Sequence, residues 1–225
     1  MATEHIDVRG DTSALILVDI QPDFMPDGPL GVDEGDRILP GVRSLMESGL
    51  FGVVVGTQDW HPPNHISFAS QHEERKPLQT MELYGHEQTL WPDHCVRRTR
   101  GAELHPDLPW DRAAAFIRKG MDSQVDSYSG FRNNWGPDGS RPTTGLAGYL
   151  RDRGVKEVYV CGLARDVCVR WTVEDAAEEG FDTTVLWDLT RSVNPSGDSD
   201  LRGEFERQGV RVAKAQALLS PSAAG

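Results

Sequence analysis

The sequence predicts an α/β fold: a parallel six-stranded sheet flanked by helices on both faces. Two observations carry this. Short aliphatic runs without alternation, such as Leu15-Ile16-Leu17-Val18, Val53-Val54-Val55, Ala113-Ala114-Ala115-Phe116-Ile117 and Val158-Tyr159-Val160, suit strands buried on both faces. A polar, helix-like stretch followed by glycine and then an aliphatic run recurs at Gly49, Gly154, Gly180 and Gly209, which is the rhythm of alternating helices and strands. With 225 residues, the chain is long enough for a sizeable core and is read as a single domain over 1–225.

In order, strands are expected over 13–20, 52–57, 113–118, 157–162, 183–188 and 210–213. Helices are expected over 38–48, 143–153, 166–179 and 199–208. The stretch 60–112 is different. It holds six of the 14 prolines and most of the histidines with little periodicity, yet Trp60, Phe68, Tyr84, Leu90, Trp91 and Trp110 argue against disorder. It is read as a pocket-building insertion. Residues 220–225 are read as a frayed tail.

Composition excludes several functions. A formal net charge of −12 argues against nucleic acid or an anionic membrane as partner, since both select basic patches. No apolar stretch reaches 18 residues, so no bilayer span is expected. Three cysteines and an N-terminus without signal-peptide layout point to a reducing, cytoplasmic setting.

In a parallel sheet all strand C-termini lie along one edge, and ligands bind outside that edge. Each aliphatic run ends near a reactive side chain. Cys168 follows Gly162-Leu163-Ala164-Arg165-Asp166-Val167, where a loop turns into a helix. A thiol in a helical first turn is drawn towards thiolate by the macrodipole, although an ordinary buried cysteine is the plain alternative. Lys119 ends the third run; it is either a solvated terminus or a cation that lowers the thiol pKa. Asp19 ends the first run, as a turn cap or as the base that takes the thiol proton and returns it to a leaving amine. Backbone amides of Cys168 and of a loop residue such as Ala164 could form an oxyanion hole.

Asp59-Trp60-His61 puts two ligand types at i and i+2, on one side of an extended segment, and His94 could reach back to them. One carboxylate and two imidazoles suit a divalent transition metal, zinc first, with manganese and iron as alternatives. His65 is a candidate extra ligand, the thiol of Cys95 a less favoured one, and a purely polar surface loop the plain alternative. His72, His86 and His105 are read as non-ligands.

Together, Val18-Asp19-Ile20-Gln21-Pro22-Asp23-Phe24, Asp59-Trp60-His61-Pro62, Trp91-Pro92-Asp93-His94-Cys95-Val96, Lys119-Gly120, Tyr128-Ser129-Gly130-Phe131 and Gly162 through Val169 resemble the nicotinamidases of the isochorismatase-like cysteine hydrolase superfamily, in family order from about 13 to 215. The resemblance implies Asp19, Lys119 and Cys168 as catalytic triad, Asp59, His61 and His94 as metal ligands, and a cis peptide at Leu163-Ala164. It also implies Phe24 and Trp91 flanking a pyridine ring, with Tyr128 as a pocket wall. The expected reaction is hydrolysis of nicotinamide to nicotinic acid and ammonia in NAD salvage, with pyrazinamide also turned over and a homo-oligomer as the expected assembly. Another amidohydrolase of the superfamily, acting on a carbamoyl or ureido compound, is the nearest alternative. Arg165 departs from the family, which often carries threonine or another small residue there; it is expected to line the entrance or to pair with an acidic neighbour.

Overall fold

The structure, a computed structural model, describes residues 5–219; the expected tail at 220–225 lies outside the described residues. Six strands, β1 (Ser13–Val18), β2 (Val53–Asp59), β5 (Ala115–Lys119), β6 (Glu157–Leu163), β7 (Asp182–Arg191) and β8 (Arg211–Ala213), form one sheet in the order β5-β2-β1-β6-β7-β8. Every neighbouring pair in it is parallel. The four punctuating glycines all take positive φ, between 70° and 85°.

Two apolar layers hold the sheet. On β1, Leu15 and Leu17 face one side, where α1 (Leu39–Glu47) adds Val42, Leu45 and Met46 and α5 (Gln216–Leu219) adds Leu218. Ala14, Ile16 and Val18 face the other, against Leu146 and Leu150 of α2 (Leu146–Asp152), Val173 and Ala176 of α3 (Arg170–Glu178), and Leu201 and Phe205 of α4 (Asp198–Arg207). All six residues of β1 are buried, as a central strand between two helical layers requires.

The third aliphatic run departs from that picture. β5 is an edge strand in which Phe116 and Arg118 are exposed while Ala115 and Ile117 are half-buried. The 60–112 excursion also contains an unexpected antiparallel hairpin, β3 (Thr80–Leu83) with β4 (His86–Thr89). Its turn places Tyr84 and Gly85 both at positive φ, the backbone that a two-residue hairpin loop selects. β7 runs longer than expected because its register against β6 shifts beyond Val160, so that Gly162 pairs with Thr190. Among the described residues no helix is long and apolar enough to cross a membrane.

β1 is central, with β2 on one side and β6 on the other, so the chain reverses its winding direction there. In open α/β sheets the crevice outside such a reversal is where ligands bind. Asp19, Asp59, Lys119 and Gly162 all lie at that edge.

Candidate active site

Asp19 follows β1 directly, fully buried, with φ of 46°. Thr57 on β2 fixes it twice: its hydroxyl donates to Asp19 Oδ1 at 2.6 Å and accepts the Asp19 N–H at 3.1 Å. The other oxygen, Oδ2, is paired with the Lys119 ammonium at 2.8 Å.

Lys119 is the last residue of β5 and sits in register with Asp59, the last of β2. Its Nζ lies 2.5 Å from Asp59 Oδ1, 2.9 Å from the Ser127 carbonyl and 3.5 Å from Cys168 Sγ. Asp59 is framed by Gln21, whose side-chain amide donates to the Asp59 carbonyl at 2.9 Å and accepts the Asp59 N–H at 2.8 Å. A carboxylate oxygen from each aspartate and the Cys168 sulfur all lie within 4.8 Å of one another.

Cys168 belongs to a π-helical turn, Arg165–Val169, that leads into α3; such turns are frequent at functional sites. The Leu163-Ala164 peptide just before it is cis, as the resemblance implies. Gly162 has φ of 120°, and a Cβ there would stand 2.1 Å from the Val18 carbonyl, so β6 can approach β1 this closely only with glycine.

The electrostatics correct one expectation. The Cys168 thiol is held well above its ordinary pKa by burial, with the Lys119 cation opposing and the Asp19 and Asp59 carboxylates reinforcing the rise. The resting group is therefore a neutral thiol, and the lysine and helix start do not make it a standing thiolate. Asp19 is itself pushed up, chiefly by burial. Burial works the same way on Asp59, yet the Lys119 ammonium and His61 outweigh it and hold that carboxyl well below the usual range. Burial works against charge on Lys119 too, but the two carboxylates keep it firmly protonated. The cluster thus contains a firm cation, a firm anion and a thiol next to a carboxyl of raised pKa, between which one proton can move.

Asp59 also faces the histidines. Its Oδ2 is 3.5 Å from His61 Nε2 and 3.7 Å from His94 Nε2, and all three residues are buried. Nδ1 of His61 pairs with the Gly120 carbonyl at 3.0 Å, and Nδ1 of His94 with the Pro92 carbonyl at 2.7 Å. Carbonyls accept only, so each Nδ1 carries a proton and each Nε2 is the nitrogen turned towards Asp59, an orientation that metal-binding histidines commonly share. His65 lies tilted against His61, ring centroids 4.2 Å apart, but its nitrogens face Ser67 Oγ at 2.7 Å and the Val125 carbonyl at 3.3 Å. It buttresses His61 and stands outside the Asp59, His61 and His94 set. Cys95 is buried in the core with its thiol pKa raised, mainly by burial. His72 bonds the Ile66 carbonyl and His86 stacks on Trp135.

Phe24, Trp91, Tyr128, Ala164 and Cys168 line one cleft with Asp59, His61 and His94, enclosing about 340 Å³ of space including its mouth. Trp91 Nε1–H donates to the Tyr128 hydroxyl at 3.0 Å, and Phe24 meets His94 edge-on at 5.5 Å. Leu30, Val167, Val193 and Asp126 complete the lining; none was singled out from sequence. Asp126, seven residues past Lys119 and two before Tyr128, has a carboxylate oxygen within 4.8 Å of ligand atoms of His61 and His65. A larger cleft, enclosing about 1720 Å³ on the same measure, lies between the N-terminal segment and β8 and includes none of the thiol cluster.

Arg165 turns away from this cleft. It pairs with Asp198, donates to the Thr190 hydroxyl at 2.7 Å and to the Trp187 and Thr190 carbonyls at 2.8 and 2.7 Å, and lies over the Trp187 ring at 4.0 Å. Of the two expected roles, pairing with an acidic neighbour is the one observed. It ties the start of the turn that carries Cys168 to the irregular part of β7.

A parallel sheet with a thiol, a carboxylate and an ammonium converging at its C-terminal edge defines an α/β protein of the kind built for nucleophilic chemistry. The particular lineage is that of the isochorismatase family: the isochorismatase domain matches residues 13–217, and the chain belongs to that family. A nicotinamidase of Acinetobacter baylyi is 44% identical over 190 residues, covering 84% of this chain and 86% of its own. A solved nicotinamidase/pyrazinamidase of Acinetobacter baumanii superposes with a TM-score of 0.86 at 42% identity, covering 92% of this chain and 98% of its own. A Pyrococcus horikoshii pyrazinamidase solved in complex with zinc gives 0.71 at 38% identity, covering 90% and 99%.

Proposed function

We propose that this protein hydrolyses nicotinamide to nicotinic acid and ammonia through a thioester on Cys168, with the 1–225 chain acting as one domain and its 60–112 segment building the pocket. The observation that carries this is one contact: Lys119 Nζ touches both Asp19 and Asp59. It joins a thiol–carboxylate pair to a carboxylate–imidazole cluster at the floor of a small cleft lined by Cys168, Asp59, His61 and His94. The names of the similar proteins point to the same chemistry.

Substrate binding comes first. Phe24, Trp91 and Tyr128 offer flat apolar surfaces to a pyridine ring. Asp59, His61 and His94 would hold a divalent transition metal, zinc first, as two imidazole Nε2 atoms and a carboxylate oxygen converging in a buried space fit it once the imidazoles are neutral. When bound, that ion supplies a positive centre able to draw the ring nitrogen.

The proton inventory then closes. The Cys168 thiol passes its proton to the Asp19 carboxylate, and sulfur bonds to the carboxamide carbon. The N–H groups of Ala164 and Cys168 take the developing oxyanion. As the C–N bond breaks, Asp19 returns the proton to nitrogen and ammonia leaves. Water then adds to the thioester, giving a proton to Asp19. The C–S bond breaks, nicotinic acid departs, and the sulfur recovers its proton from Asp19. Lys119 stays charged throughout and keeps two carboxylates tolerable at close range. A reducing, cytoplasmic setting goes with this reading, and all three cysteines are free.

The test is ammonia release from nicotinamide, with and without a chelator. Turnover that falls with metal removal and returns with zinc supports the reading. No ammonia from metal-loaded protein sinks it, and full activity without metal moves it to a carbamoyl or ureido amide.

A further inference from the structure

Gln88 lies on β4 of the hairpin, outside the cleft and absent from the reaction above, yet it is 5% exposed and touches two cleft residues. Its Nε2 lies 2.7 Å from Asp126 Oδ2, 2.9 Å from the Tyr128 hydroxyl and 2.7 Å from the Thr89 carbonyl. A carboxylate and a carbonyl accept only, so the nitrogen, not the oxygen, of the amide must face them. The Tyr128 oxygen already accepts the Trp91 indole N–H; the two Gln88 N–H groups are shared among three acceptors, and Tyr128 takes part in one shared bond with Asp126 or the Thr89 carbonyl. Asp126 Oδ1 accepts the Ser127 N–H at 2.8 Å, and the Ser127 carbonyl accepts from Lys119 Nζ. The segment 126–128 therefore presents Asp126 and Tyr128 to the cleft and the Ser127 carbonyl to Lys119, and one amide grips it from behind.

We propose that Gln88 is a positioning residue whose amide holds Asp126 and Tyr128 in place and so sets the width and orientation of the aromatic slot. This deepens, and rests on, the reading of the cleft as a nicotinamide site. Asp126 is 2% exposed, so losing its donor leaves a buried carboxylate undersatisfied and free to seek another partner, with His61 and His65 the nearest. The hairpin is then a clamp on the site rather than a mere surface ornament.

Two variants, Q88A and Q88E, test this, each checked by thermal melting and metal content. Q88A removes a hydrogen bond to a charged group, for which a rise in KM for nicotinamide of about tenfold or more is expected, with kcat changed much less. Q88E sets a carboxyl against Asp126, with Tyr128 beside it, His61 and His65 beyond Asp126, and the uncharged Met81 opposite on β3. When ionised it repels Asp126; when protonated it donates one hydrogen bond again. Its defect relative to the unmodified protein should therefore shrink as pH falls, which a merely structural role would not produce. The Trp91 indole N–H resonance, assigned with W91F, reads the Tyr128 contact without any substrate and should move in Q88A. An unmoved resonance, an unchanged KM in folded Q88A, or a Q88E defect independent of pH each overturns the inference. If the unmodified protein releases no ammonia yet the resonance moves, the clamp stands and the nicotinamide assignment falls.

Discussion

Replacing Lys119 with methionine keeps most of the side-chain volume and removes the charge. The ammonium sits 2.8 Å from Asp19 and 2.5 Å from Asp59, all three groups being buried. At an effective dielectric of about 20, unit charges at these distances attract by about 6 and about 7 kcal/mol, while the two carboxylates, within 4.8 Å of each other, repel by about 3 kcal/mol or more. Burying the ammonium cancels much of the attraction, so the net loss is smaller. Breaking a buried ion pair from one side typically costs about 3–5 kcal/mol. For a chain of this size that is a fall in Tm of roughly 6–20 °C.

The sign of the pH dependence follows. Without the cation the carboxyl pKa of Asp19, already raised by burial, rises further. An acid whose folded pKa exceeds its unfolded value binds more protons in the folded state, so it destabilises as pH rises and the stability returns as pH falls. K119M should therefore recover part of its lost Tm on acidification, and the double variant D19N/K119M should be more stable than K119M alone near neutral pH. Differential scanning calorimetry across pH, with chelator and with zinc, measures this. A K119M protein melting within about 2 °C of the parent at neutral pH, or gaining nothing from D19N, would refute the charge argument.

Three other changes probe the site. C168A should fold and retain metal but lose more than about 10³-fold in ammonia release, since residues acting as a unit fail together; retention of a few per cent of the rate ends the thioester scheme. T57V removes a hydroxyl that lowers the Asp19 pKa, so the acidic limb of kcat/KM should move to higher pH, with about 1–3 kcal/mol of stability lost from the orphaned partners; an unmoved limb would mean that Asp19 is not the group being titrated. In G120A the new Cβ would stand 2.3 Å from the His61 ring at φ of 63°, so metal content measured by mass spectrometry should fall with every ligand intact; full occupancy would remove His61 from the ligand set.

Much of this was legible in the chain because parallel strands carry their reactive residues at one end. Asp19, Asp59 and Lys119 each stand at the C-terminal end of an aliphatic run, and once the runs align the three meet. What stayed hidden depends on side-chain partners far apart in sequence. Nothing near Asp126 or Gln88 marks them, because each matters through the other across the hairpin and the loop after β5. Thr57 reads as one more β-branched strand residue until Asp19 lies beside it. The hairpin escaped because its strands are four residues long and polar, although Tyr84-Gly85 was a readable turn. The edge position of β5 escaped because an aliphatic run does not state how many of its faces are covered.

The charge state of the thiol illustrates why position alone was not enough. A cysteine at a helix start beside a lysine reads as a thiolate, and both features are present. Yet Lys119 is shared with two carboxylates, so its charge is already matched when the thiol meets it, and burial then decides in favour of the neutral S–H. The consequence is functional. A standing thiolate would need no base and would react with any electrophile that reached it. A neutral thiol paired with a carboxyl of raised pKa becomes nucleophilic only as its proton crosses to Asp19. That proton is then in position for the leaving amine, so one short transfer serves both attack and departure.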